Sequence, residues 1–285
     1  MNLIETTADV KAYCIEGIQG ILRFWCTQMY DRQQGGFYGS MSHTGKVNYK
    51  ASKGAVLNYR ILWSLSAAAK LPQLEWCKPY AKDVYDYTNS NFWDSTFGGV
   101  FWSLDYKGNK LDAKKQIYAQ AFAIYGYCAY YNLTGDAGSL VRAKELFELI
   151  EKYSYDAGGS GYFEAFGEHW QIIDDLRLSE KDANEKKTMN THLHLLEAYT
   201  ALYLLWPDKV LGERIKSLII IFNDYIIDKD TGHLGLFFDE HWNRRDSLVS
   251  FGHDIEASWL LLEAAEAIND SFLVDLVKGS LQQMV

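Results

Sequence analysis

A glycine–aromatic loop returns along this chain at a near-constant interval, and that return constrains the fold more than any single motif. The loops are Asp31-Arg-Gln-Gln-Gly-Gly-Phe-Tyr-Gly39, Phe97-Gly-Gly-Val-Phe-Trp102, Gly159-Ser-Gly-Tyr-Phe163 and Gly232-His-Leu-Gly-Leu-Phe-Phe238. Counted from Gly36, Gly99, Gly161 and Gly235, the steps are 63, 62 and 74 residues. Between the loops, apolar residues recur at helical spacing. They predict helices over about 6–30, 52–70, 73–92, 115–132, 137–153, 185–205 and 208–228, then one that begins at His253. A further cycle starts near Asp270 and stops at Val285. Each unit is therefore a helix pair with a hairpin-bearing loop, one helix amphipathic and the other apolar on most sides, and neither can be buried alone. The period of about 65 residues is long for open solenoids, whose units run roughly 33 to 47 residues. It suits an all-α (α/α)6 toroid of inner and outer helices. Six pairs would need on the order of 390 residues. Residues 1–285 are thus expected to be one interrupted domain holding about four and a half pairs, short of the last one to two, with apolar faces left open on the first and fourth pairs.

Composition narrows the function classes. Only 3 prolines fit long helices. The 20 Tyr and 9 Trp exceed what a core needs, and suit a pocket for a hydroxyl-bearing ligand as well as they suit gap filling. A net charge of −9 without a basic run argues against nucleic acid. No leader-like N-terminus or membrane-length apolar run is seen. Cys14, Cys26, Cys77 and Cys128 form no CxxC and show no metal-ligand spacing, so they read as reduced core thiols of a cytoplasmic protein.

Unusual polar residues fall near the start of the second helix of every pair. They are Lys53 and Arg60, then Tyr118 and Gln120, then Asn190 and His194, and finally His253 and Glu256. His253 and Glu256, three apart, share a helix face, and a carboxylate near a histidine can set its tautomer and basicity. Taken alone, that pair fits a helix cap as well as an acid/base pair. Ser250-Phe-Gly252 reads as a turn before it, and Ile255, Trp259 and Leu262 as the apolar stripe behind it. An arginine inside an apolar helix is costly unless paired, so Arg60 points to a ligand or to a salt bridge between units, with Glu256 as the candidate partner. His194 could also be a hydrogen-bonded core residue. His192 points elsewhere, and His43, His169, His233 and His241 read as surface loop residues. Trp170 and Trp242 read as hairpin packing, with sugar stacking as the alternative. If the second helices line the toroid, the polar sets converge at one mouth. A base of near-neutral pKa beside a cation is what removing a proton next to a carbonyl requires, with no metal needed.

Four stretches in register, Lys53-Gly-x-x-Leu-x-x-Arg60-Ile-Leu-Trp63, Ala121-Phe-Ala-Ile-Tyr125, Thr188-Met-Asn-x-x-Leu-His-Leu-x-Glu-Ala-Tyr199 and Gly252-His-Asp-Ile-Glu-Ala-Ser-Trp-Leu-Leu262, resemble the N-acylglucosamine 2-epimerase superfamily. The Gly-His-Asp-Ile-Glu-Ala form, with Phe37-Tyr38-Gly39, is most similar to its cellobiose 2-epimerase branch. The resemblance implies an (α/α)6 barrel and a cofactor-free isomerase; separately, the chain is expected to be a monomer or a weak homodimer with a small disaccharide as its partner. The implied isomerase inverts C2 of the reducing-end glucose of β-1,4-linked disaccharides by ring opening and two-histidine proton exchange through an enediolate. It implies that His253 is one of the two bases, that Glu256 supports it, and that Arg60 holds the C1 and C2 oxygens. His194 assists ring opening, Tyr118 and Asn190 touch the sugar, and Trp259 packs nearby. It places the second base beyond Val285, so these residues alone are expected to be inactive as an epimerase and marginally stable.

Other readings stay open at this stage. N-acylglucosamine 2-epimerase or mannose isomerase activity would share Arg60, His194 and His253. An inverting glycoside hydrolase would use two carboxylates roughly 6.5–9.5 Å apart, from Asp254, Glu256, Glu164 and Asp174. A non-enzymatic binding scaffold would tolerate loss of His253 and Arg60.

Overall fold

The computed structural model describes residues 7–284. Nine α-helices alternate between two roles among these residues: α1 (Thr7–Phe24), α2 (Ala55–Ala68), α3 (Lys78–Tyr87), α4 (Ile117–Thr134), α5 (Ala137–Tyr153), α6 (Met189–Tyr203), α7 (Lys209–Ile221), α8 (Phe251–Ala267) and α9 (Ser271–Met284). The even-numbered helices are the inner wall. α2 packs on α4, α4 on α6, and α6 on α8. The sequence shows why. On α4, Ala119, Ala121, Ala123 and Gly126 let neighbouring helices close in, and a Cβ at Gly126 would collide with the Tyr59 carbonyl of α2. Odd-numbered helices bury one stripe, such as Ala143, Leu146, Phe147 and Ile150 of α5, and turn charge outward.

The helix at 137–153 falls where the spacing predicts. Others differ at their ends. The first long helix is straight only to Phe24 and then widens into a π-turn at Trp25–Met29. The same π-turn closes α3 at Thr88–Phe92 and α7 at Phe222–Ile226, delivering the chain into the loop. Residues 72–77 form a 3-10 turn rather than α-helix, with Pro72 at its start. α8 begins at Phe251, so Gly252 lies inside its first turn and is not a turn before it.

A second repeat lies in the loops, and its residues explain the first. Asp31, Asp94, Asp156 and Asp228 each open a loop and accept two backbone N–H groups two and three residues on. The loop then closes on itself through the bridges Tyr30–Phe37, Trp93–Val100, Tyr155–Tyr162 and Ile227–Leu234. On this register the fourth counterpart of Gly36, Gly99 and Gly161 is His233, so Gly235 is two residues out of step as a repeat marker. Gly161 has φ 79°, and a Cβ there would run into Trp242 and His192.

Three of the inner helices, α2, α4 and α6, are each entered through a two-residue strand that pairs antiparallel with the next unit's loop. β1 (Lys53–Gly54) pairs with β2 (Ser103–Leu104), which also pairs with β3 (Lys110–Asp112). β4 (Lys115–Gln116) pairs with β5 (Ala165–Phe166), and β6 (Lys187–Thr188) with β7 (Phe237–Phe238). The first residue of β1, β4 and β6 is a fully buried lysine. It reaches back to its own unit's loop aspartate: Lys53 to Asp31 at 2.8 Å, Lys115 to Asp94 at 2.6 Å, and Lys187 to Asp156 at 2.8 Å. Lys53 is therefore structural and does not belong to the polar set at the mouth. Trp170 and Trp242 staple adjacent loops, donating from Nε1 to the carbonyls of Phe97 and Gly159 and stacking on Tyr153 and Tyr225.

Three cysteines are buried, but Cys14 is exposed on α1 and is not a core thiol. α1 also exposes Val10, Tyr13, Ile18, Ile21 and Phe24, and α8 exposes Phe251, Ile255 and Trp259. The buried face of α8 is instead Asp254, Ala257, Leu260, Leu261, Ala264 and Ala265, so Ile255 and Trp259 are not its core stripe. No helix among the described residues is long and apolar enough to cross a membrane.

Candidate active site

Three loop-facing polar side chains on the inner helices fix the register of the site. Gln120 accepts the Val100 N–H, His192 the Tyr162 N–H, and Asp254 the Leu234 N–H. Asn58 is their counterpart on α2 by sequence register. These residues are buried fasteners, which removes Gln120 from the site and gives His192 a definite job. His192 Nδ1–H donates to the Thr188 carbonyl while Nε2 accepts, and burial holds its pKa down at about 4. His233 is likewise no free surface residue. Its Nδ1 lies 2.8 Å from the buried Asp254 carboxylate.

Two residues beyond each fastener the helix has turned toward the toroid's interior, and there stand Arg60, Phe122, His194 and Glu256. The structure brings most of the expected set together around them. The Arg60 guanidinium lies 4.5 Å above the Phe122 ring. Phe122 sits 4.7 Å from His194 by ring centroids, and Tyr118 sits 5.1 Å from His194 and 5.0 Å from Phe122. The anticipated Arg60–Glu256 salt bridge does not form, and Arg60 has no carboxylate partner among the described residues. Burial raises the Tyr118 phenol above its ordinary range, with the positive field of Arg60 opposing it, the negative field of Glu256 adding to it, and Asn190 lowering it. The Asn190 Oδ1 is buried without a partner among the described residues, an acceptor left free for a ligand hydroxyl.

Both histidines have one ring nitrogen committed. His194, 3% exposed, places Nδ1 2.9 Å from Glu197 Oε2. His253 places Nδ1 2.7 Å from Ser250 Oγ. Ser250 stands at the N-cap of α8, yet its hydroxyl caps no backbone N–H. The group bonded to His253 is therefore this serine, while Glu256 acts on it through space. Burial depresses the His253 pKa, Glu256 opposes that shift, and His194 adds to it. A depressed pKa keeps the imidazole neutral, and able to take a proton, at neutral pH. Trp259 is half exposed on the next turn of α8 and makes no ring contact with this set among the described residues.

A cavity of about 210 Å³ opens against this cluster, lined by Asn190, His253, Glu164, Thr188, Leu236 and Phe237 under the segment 176–185. Glu164 does not offer its carboxyl to it. It is 1% exposed and accepts from the Thr188 N–H at 2.7 Å and the Thr191 hydroxyl at 2.6 Å. Burial raises its pKa to about 8. With Asp254 held by His233 and Leu234, two of the four hydrolase candidates are committed to structure. No three His, Cys, Asp or Glu side chains among the described residues gather as metal ligands would.

Sequence reasoning missed Phe122, Glu197 and Ser250 as parts of the site. Glu197 lay three residues after His194, on the same face, and that spacing was the signal. Phe122 is apolar and carried no such mark.

The N-acylglucosamine 2-epimerase (GlcNAc 2-epimerase) family model matches residues 36–276, and the chain belongs to that family. It is 51% identical over 254 residues to a cellobiose 2-epimerase of Bacteroides fragilis, covering 89% of this chain and 65% of that protein. It is 39% identical to a cellobiose 2-epimerase of Ruminococcus albus, covering 89% of this chain and 64% of the relative. The chain thus spans about two thirds of the length of these curated relatives. The structure of cellobiose 2-epimerase from Bacillus thermoamylovorans superposes with a TM-score of 0.88 at 35% identity, over 96% of this chain and 72% of that one. The (α/α) toroidal architecture expected from the repeat is therefore observed.

Proposed function

We propose that the cluster around His194 and His253 is the reducing-end site of a sugar 2-epimerase acting on β-1,4-linked disaccharides such as cellobiose, within one toroidal domain. The observation that carries the reading is an unpaired guanidinium, Arg60, on the same ring of side chains as two histidines whose Nδ1 atoms are already bonded. Such a set can open a sugar ring and move the proton beside its carbonyl. His194, through Nε2, takes the anomeric hydroxyl proton as the C1–O5 bond breaks and returns it to O5, leaving the C1 aldehyde and a C5 hydroxyl. His253, neutral at working pH, removes the C2 proton. Arg60 and the Tyr118 hydroxyl meet the negative charge that develops on the C1 and C2 oxygens, the interaction that does most to stabilise an enediolate. Asn190 Oδ1 accepts from a sugar hydroxyl, Glu256 steadies the charge on His253, and Trp259 offers an apolar ring one turn away. Inversion also needs an acid on the opposite face of C2. None of the described residues is assigned that role, and net inversion by these residues alone is expected to be absent.

Ring opening can be tested separately. Exchange spectroscopy on cellobiose labelled with ¹³C at C1 reads the interconversion of its anomers. The chain should speed that exchange above the buffer rate, and His194→Gln should return it there. Release of free glucose with unaltered anomer exchange would favour glycoside hydrolysis and sink the epimerase reading.

A further inference from the structure

The ring nitrogen that His194 presents to a sugar is decided one helical turn away, on the side of the cluster opposite the mouth. Glu197 lies three residues on along α6, and its Oε2 stands 2.9 Å from His194 Nδ1. A carboxylate can only accept, so the proton of the neutral imidazole sits on Nδ1 and the lone pair on Nε2. Free imidazole side chains favour the opposite tautomer, so the carboxylate imposes this one. The ring has little freedom to respond otherwise. His194 is buried between Tyr118 and Phe122 on one side and its own helix on the other.

Glu197 is itself held. It lines a second cavity of about 170 Å³ with Trp63, Tyr125 and Glu263, beyond the ring of site residues. Tyr125 stacks on Trp63 at 5.1 Å, and burial, with the Glu197 carboxylate beside it, pushes the Tyr125 phenol well up, so that it stays a hydrogen-bond donor. Glu263 on α8 lies near enough that burial first, and Glu197 next, raise its carboxyl pKa. Of the two carboxyls, Glu197 is the one bonded to the histidine.

We propose that Glu197 is the positioning residue of the site: it fixes His194 in the Nδ1–H tautomer with Nε2 free, and balances the charge His194 gains when it takes a proton. The proposal rests on the ring-opening role given above to His194. Glu197 touches no substrate. It acts through His194, as the third group of an oriented base does.

Long-range ¹H–¹⁵N correlation of the histidine side chains tests this without substrate. In the full chain His194 should show a protonated Nδ1 and a bare Nε2, its signal assigned by loss in His194→Gln. Glu197→Ala should move the proton to Nε2. Glu197→Gln, whose amide oxygen can still accept, should keep the Nδ1–H form but lose the charge, and both variants should slow anomer exchange of cellobiose by about 10²-fold or more. An unchanged tautomer in Glu197→Ala, with native circular dichroism, would overturn the proposal. So would a Glu197→Gln chain that exchanges anomers at the wild-type rate. A wild-type chain that exchanges no anomers while its tautomer still follows Glu197 would sink the sugar reading and leave the positioning role standing.

Discussion

Ser250 holds the N-cap position of α8, but its hydroxyl lies 2.7 Å from His253 Nδ1 instead of on a backbone N–H. Asp208 at the head of α7 behaves as an ordinary cap, accepting from Val210 and Leu211. The two positions should respond differently to alanine. Asp208→Ala should cost about 1 kcal/mol in urea unfolding, the usual worth of a cap. Ser250→Ala should cost less than half of that, yet change the ¹⁵N shift of His253 Nδ1. Equal losses of stability at both positions would show that Ser250 is a cap after all.

The Lys187 ammonium is fully buried and meets Asp156 at 2.8 Å and the carbonyls of Ser160 and Glu240 at 2.7 and 2.9 Å. It fastens one loop to the next at the foot of α6. Lys187→Met strands the aspartate and two carbonyls, and should cost about 3–5 kcal/mol of unfolding free energy. Lys82→Met removes an exposed i,i+4 pair with Asp86 and should leave the unfolding midpoint at the wild-type value.

Two buried groups give stability a pH signature. Glu164, raised to about 8, binds a proton in the native state that the unfolded chain has lost, so its contribution is full below pH 4.5 and falls as pH rises toward 8. His192, lowered to about 4, works the other way. The unfolded chain binds the extra proton, and stability rises with pH between 4 and 6.5. The two oppose each other up to pH 6.5, after which Glu164 acts alone. From pH 6.5 to 8 wild type should lose about 2 kcal/mol, by 1.4 kcal/mol per pH unit, that Glu164→Gln does not lose. Parallel stability–pH curves for the two proteins would contradict this.

Arg60 separates a ligand-binding role from a structural one. It lies over Phe122 without an ion pair, so Arg60→Ala should change stability by no more than about 1 kcal/mol, the scale of an exposed cation–π contact. Anomer exchange of cellobiose should nonetheless fall at least tenfold. A large loss of stability with exchange intact would mark Arg60 as a fastener between helices.

What the sequence made legible follows from which contacts are local. The spacing of Asn190 and His194, and of His253 and Glu256, lies within one helix, so each shared face follows from helical geometry alone. The helix pairs were visible because each inner helix is apolar on most sides. That same property hid the orientation of α8. With apolar residues on every side, Ile255 and Trp259 looked like core, and only the packing of α8 shows that Asp254 and Ala257 are on its buried face. Lys53 misleads for a different reason. Its partner Asp31 lies across a hairpin, and a lysine near a helix start looks the same whether it meets a buried aspartate or a ligand. The resemblance supplied the roles of Arg60 and His194, while the structure supplied the seats of the two histidines, Glu197 and Ser250.

Everything proposed for the site requires that His194 and His253 face one open-chain sugar end. Titrating the ¹⁵N-histidine chain with cellobiitol, which carries an acyclic reducing end, tests it most directly. The Nε2 signals of His194 and His253 should shift together along one binding curve, while methyl β-cellobioside, whose ring cannot open, should bind more weakly. Shifts confined to His43, His169 or His241, or an equal response to the locked glycoside, would contradict it.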